Sequence, residues 1–410
     1  MRLNLNFLFL ILYLVVGFIP NFGSVDRIAT HWLYLNIVSF LSIIFFLFKN
    51  PEVNIIKSIT SNKPLVIFIV FGVWAAISIL YSINITESII TTIRLFSLIL
   101  TTITVGLHLS QLDSLRNIFV FILFPIILYE IFRPTIEIYR ITSQVHFTFE
   151  LANFLETFTP NKNITAAIIT AHMGFFFMLR FYLKKFENLF VLLILFGTVV
   201  IFFISARASI IGLILSLVFV YILTFLKKKG KIYFLNKVCL SVIFGIFVSN
   251  LYLGSDNTAS FQSRLTSVNT KDESTNQRVR FYKHGINHLL KNPIVGIGIG
   301  NWKLKSIEYD SENIKNYVVP YHLHNDFLQY GTETGIIGML LYLSLFLALL
   351  VQNVKRIDSN YYLSISLIIS LSVLFIDSNL NFPHHRPIMM ILLALIISLT
   401  ELNRTKDFEK

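Results

Sequence analysis

The chain has 410 residues, of which 55% are apolar and only 14% charged, with 40 phenylalanines and a formal net charge of +12. A mean hydropathy of +0.71 lies far outside the range of soluble domains and excludes a soluble enzyme or binding module. The basic residues are spread between apolar runs rather than gathered on one polar face, which argues against nucleic acid as a partner and for a topology signal.

A helix needs about 20 apolar residues to cross the hydrocarbon, and the runs here are continuous rather than alternating, so the expected class is an all-α polytopic membrane protein, not a barrel. In chain order about twelve spans are predicted, near residues 4–22, 31–48, 64–82, 88–107, 117–132, 163–182, 188–204, 208–226, 235–253, 335–354, 361–379 and 387–401. The first is read as a retained helix, because no small-residue cleavage site follows it. The single cysteine, Cys239, lies inside an apolar run and cannot form an internal disulfide. Residues 1–410 are read as one membrane domain, with a long polar loop at 254–334 between the ninth and tenth spans.

Alternate connections carry Lys49, Lys57 and Lys63; Arg116; Arg180, Lys184 and Lys185; Lys227, Lys228, Lys229 and Lys231; and Lys355 and Arg356. The positive-inside rule makes these connections cytoplasmic, together with both termini. It leaves Asp26, Arg27, residues 133–162, Arg207, the 254–334 loop and His384-His385-Arg386 on the opposite side. The chemically unusual residues therefore share one face, which points to a reaction at the membrane surface rather than to groups hidden at mid-depth.

Arg207 closes the seventh predicted span, a costly depth for a charge, where it either snorkels to headgroups or holds an anion. Within the loop, residues 277–293 read as an amphipathic helix lying on the membrane, with Tyr282, Ile286 and Leu289 or Leu290 on its apolar side. Arg278 precedes Tyr282 by four residues and shares its face, while two residues turn a helix by about 200° and point Arg280 elsewhere. His284 and His288 have the i, i+4 spacing of metal ligands, but no carboxylate accompanies them as in zinc-binding helices. Gly296-Ile297-Gly298-Ile299-Gly300 lacks dinucleotide-fingerprint spacing and is expected to form a tight turn. His324, followed by Asn325 and Asp326, stands at the mouth of the bundle, where an imidazole can hold or take a proton near neutral pH; His322 competes for that role.

Taken together, Ser205-Ala206-Arg207, Arg278 four before an aromatic, Asn292-Pro293-Ile294-Val295-Gly296, His324-Asn325-Asp326-Phe327-Leu328-Gln329, Glu333-Thr334-Gly335 and Asp377-Ser378-Asn379 with Arg386-Pro387 resemble the O-antigen ligase and O-antigen polymerase family of bacterial envelopes. The resemblance covers mainly residues 200–390. It implies an inverting, metal-independent glycosyl transfer without a cofactor, from a polyprenyl-diphosphate-linked glycan to an acceptor hydroxyl on the periplasmic side of the inner membrane. By that resemblance Arg207 and Arg278, with Arg280 beside them, would bind the diphosphate. His324 would take the proton of the attacking hydroxyl, with Asn325 or Asp326 orienting its ring. Tyr282 stands where the family commonly has tryptophan. A ligase acting on a lipid A core or a similar acceptor is the leading expectation, and a polymerase joining lipid-linked repeats is the alternative. A transporter or flippase is the second alternative, with Arg94 near the centre of the fourth span as its one strong mid-membrane charge.

Overall fold

The structure, a computed structural model, describes residues 4–26, 28–49, 53–148, 151–155, 157, 159, 161–227, 232–254, 273–313 and 320–408. Arg27, Lys228, Lys229, Lys231 and the first part of the polar loop, 255–272, lie outside the described residues.

The described residues form an all-helical, multi-pass membrane protein. Eleven helices are long and apolar enough to cross a bilayer, and a shorter apolar helix, α1 (Leu5–Leu14), stands where the first span is expected. The spanning helices are α2 (Ala29–Lys49), α3 (Lys63–Tyr81), α4 (Ile85–Ser110), α5 (Arg116–Thr142), α6 (Lys162–Tyr182), α7 (Lys184–Ile204), α8 (Arg207–Leu226) and α9 (Ile232–Leu253). Two loop helices follow, α10 (Glu273–Lys291) and α11 (Trp302–Asp310). The last spans are α12 (Asp326–Arg356), α13 (Tyr361–Leu380) and α14 (Pro387–Thr405).

Two helices outrun the apolar pattern. α5 continues to Thr142 although Pro134 lies inside it. Its polar end is held by Glu137, which accepts from Arg133 at 2.8 Å and pairs with the Arg140 guanidinium at 2.9 Å. α12 begins at Asp326, nine positions before the predicted start, because the Asn325 side chain accepts from Leu328 N at 2.9 Å and caps the first turn.

The chain divides into two compact units. The first comprises Met1–Gln111, Asp272–Leu349 and Ser378–Glu401. In it α4 packs against α1, α2 and α3. The buried Tyr13 hydroxyl joins Ser39, Ser42 and Thr104 at 3.2, 3.0 and 2.6 Å, a network that ties three helices where no water is at hand. The second unit comprises Leu112–Lys271, Leu350–Asp377 and Leu402–Lys410. There α7 packs against α5, α6 and α9, and His172 meets the buried Glu130 at 2.7 Å.

Candidate functional site

Residues 293–302 form the floor of the first unit's polar end. Ile336 N donates to Pro293 O at 2.8 Å, Ile297 N to Thr332 O at 3.1 Å and Gly298 N to Glu333 O at 2.9 Å, so the segment runs along a break in α12. The break is at Gly335, whose φ of +76° and ψ of 177° leave helical space. A Cβ there would stand 2.2 Å from Ile294 O, so only glycine fits. Gly298 has a φ of +89°, which bears out the expected turn. The buried Glu333 carboxylate accepts from Gly300 N at 2.8 Å, Trp302 N at 3.2 Å and Gln329 Nε2 at 3.2 Å, and so fixes the start of α11. Asn301 binds the α3–α4 turn, accepting from Asn84 N and donating to Ser88 Oγ at 2.8 and 2.7 Å. The glycine spacing had suggested a turn, but the anchoring roles of Glu333 and Asn301 rest on contacts across the sequence that no local pattern carries.

On this floor His324 adopts the left-handed conformation, with φ +60°, which a non-glycine residue rarely holds without support. The support is Tyr282, whose hydroxyl lies 2.9 Å from His324 O and 3.0 Å from Asn379 O and donates to them. Phe382 adds an edge contact to the His324 ring at 5.1 Å and stacks on His322 at 4.1 Å. The Nδ1 atoms of His324 and His322 are buried without a hydrogen-bond partner. Burial, reinforced by the Arg278 charge, lowers the His324 pKa to about 4. Burial and neighbouring His384, His324, Arg386 and Lys303 push His322 well below the usual histidine range. Both rings are therefore neutral at neutral pH, with a lone pair or N–H to offer.

The expectation that Asn325 or Asp326 orients the His324 ring is corrected. The buried Asp326 carboxylate accepts from His384 Nδ1 and, at 3.2 Å, from His384 N, while Asn325 caps α12. Arg280, expected beside the diphosphate contacts, has Nε and Nη2 engaged by the two oxygens of Asp310. The expected apolar face of α10 is corrected in part: Tyr282 packs against the protein and Leu289 is half-buried, but Phe281, not Ile286, is buried, in a cluster with Trp302 and Leu323. Gly285 lets the helix come down on Leu323, whereas Ile286 and Leu290 are 47% and 74% exposed. His284 stacks on Tyr309, and His288 Nδ1 meets the Tyr309 hydroxyl at 2.7 Å. Among the described residues no group of three His, Cys, Asp or Glu side chains is placed to hold a metal ion.

Arg207 belongs to the second unit and opens α8 rather than closing the span before it, because Ser205 turns left-handed at φ 57° and ends α7. Arg94, the charge that a transporter reading needs, is paired with Asp26 at 2.8 Å in the first unit. A cavity of about 460 Å³ in that unit is lined by Arg94, Lys303, Arg386, His322, His385 and Gln329, among others.

No curated protein matches the chain. Residues 165–343 match the family model described as O-antigen ligase, a range that takes in Arg207, Arg278, His322 and His324. The all-α membrane architecture expected from the apolar runs is present, and residues 165–343 are similar to the O-antigen ligase family whose motifs the sequence shows.

Proposed function

We propose that the chain is a ligase of that family, a glycosyltransferase that moves a preassembled glycan from a polyprenyl diphosphate carrier onto an envelope acceptor such as a lipid A core. Its place is the bacterial inner membrane, with both termini cytoplasmic and the loop of α10 and α11 periplasmic. The carrying observation is His324, held left-handed by Tyr282 with a buried, unpartnered Nδ1, and close enough to Arg278 to feel its charge.

The acceptor hydroxyl gives its proton to the His324 ring as its oxygen bonds the anomeric carbon. The carbon–oxygen bond to the diphosphate breaks on the opposite face, the configuration inverts, and the carrier diphosphate leaves. Its charge is met by the guanidinium group of Arg278, which grips phosphate oxygens in a pair and does the work of a divalent cation.

Replacing His324 with alanine is expected to abolish transfer in membranes while a chelator leaves the wild-type rate unchanged; undiminished transfer by the variant removes His324 as the base. Envelope glycans of a deletion strain decide the acceptor. Long chains left on carrier lipid identify a ligase, whereas single repeats on the acceptor identify a polymerase.

A further inference from the structure

We infer that the cavity of the first unit binds an acidic group, a phosphate or a carboxylate, held by Arg386 and Arg94 and carried by one of the glycan substrates. The inference rests on the transfer reading above, for it names a chemical property of what that reaction takes. Arg386 lies with its guanidinium 5.0 Å over the Phe382 ring, and its Nε is buried without a hydrogen-bond partner. An unmet buried donor costs stability, and an acidic oxygen entering the cavity supplies the acceptor.

The other cations wait in exchangeable pairs. Arg94 is joined to Asp26 at 2.8 Å and Lys303 to Glu87 at 2.6 Å, and every one of these side chains keeps a quarter or more of its surface exposed. Ion pairs of that kind are worth little, so a multiply charged oxyanion can take the place of either carboxylate. The neutral His322 and His385 add hydrogen-bonding nitrogens without adding charge. Position supports the assignment too. Phe382 touches both His322, which lines the cavity, and His324, which does not, so one aromatic ring separates a bound acidic group from the proposed base. Arg94, His385 and Arg386 all lie outside residues 165–343.

Titration calorimetry on the purified full chain in detergent, with inorganic diphosphate and with glucuronate, tests the site. Both are expected to bind the wild type, and Arg386→Gln is expected to weaken the better of them about tenfold, the effect of losing a hydrogen bond to a charged group. Asp26→Asn keeps the side-chain oxygen that accepts from Ile28 N but frees Arg94, so it is expected to tighten binding several-fold, an effect that misfolding does not produce. Glucuronate as the tighter ligand assigns the acid to a sugar, and diphosphate as the tighter one assigns it to a phosphate group of the acceptor, the carrier diphosphate being held by Arg278. Wild-type affinity in both variants, or no binding of either acid, overturns the inference. His324→Ala is expected to bind both acids normally, so a failure of the transfer reading leaves a different pattern from a failure of this one.

Discussion

An imidazole with a pKa of about 4 is a weak base until its surroundings change, and at His324 one of the two causes of that low value can be removed by substrate. Burial is a fixed cause; the Arg278 charge is not, because a diphosphate held by Arg278 offsets it. On the proposed mechanism the acid limb of kcat/KM, which reports the free enzyme, lies near pH 4. The limb of kcat, which reports the donor-bound enzyme, lies at higher pH. Arg278→Gln is expected to move the kcat/KM limb upward while lowering the rate. A pH–rate series on the wild type and this variant checks both, and limbs that coincide at the ordinary histidine value contradict the assignment.

The polar end of the first unit depends on elements that interrupt one another. α12 is apolar enough to be read from composition, yet its first turns belong to the site, and Gly335 lets the helix break so that residues 293–298 can bond along it. Gly335→Ala places a side chain against Ile294 O in a disfavoured conformation and is expected to destabilise the protein by about 2 kcal/mol or more. Thermal unfolding in detergent, followed by tryptophan fluorescence, measures it. The spans themselves were legible, because twenty apolar residues in a row have one solution in a bilayer. The face of α10 was not: Phe281, Ile286 and Leu290 are all apolar, and hydrophobicity alone does not separate the one that meets protein from those left exposed. His324 and Arg278 were legible as types at a spacing, whereas the partner of Asp326 lies 58 positions further along the chain.

Across the whole molecule, neutral buried imidazoles set a limit on the acid side. His322, His324 and His385 all have pKa values lowered by burial, against about 6.5 in an unfolded chain. The unfolded state therefore binds more protons as pH falls below that value, so the stability these rings confer is complete above about pH 6.5 and is lost on acidification. His324 alone accounts for on the order of 3 kcal/mol by pH 4. The melting temperature is expected to fall steadily between pH 7 and pH 4, and a flat profile contradicts the burial of these rings in neutral form. A different constraint acts while the chain is being made. Trp74 Nε1 donates to Thr334 O at 2.8 Å across 260 residues of chain, and Ser78, Asn84 and Ser88 bind Ile299 and Asn301. At roughly 5–20 residues per second of synthesis, the indole of the third span waits tens of seconds in the bilayer for its acceptor to emerge. A ribosome that stalls before residue 334 thus leaves most of the spans inserted and the polar floor unbuilt, a nascent product for quality control to remove.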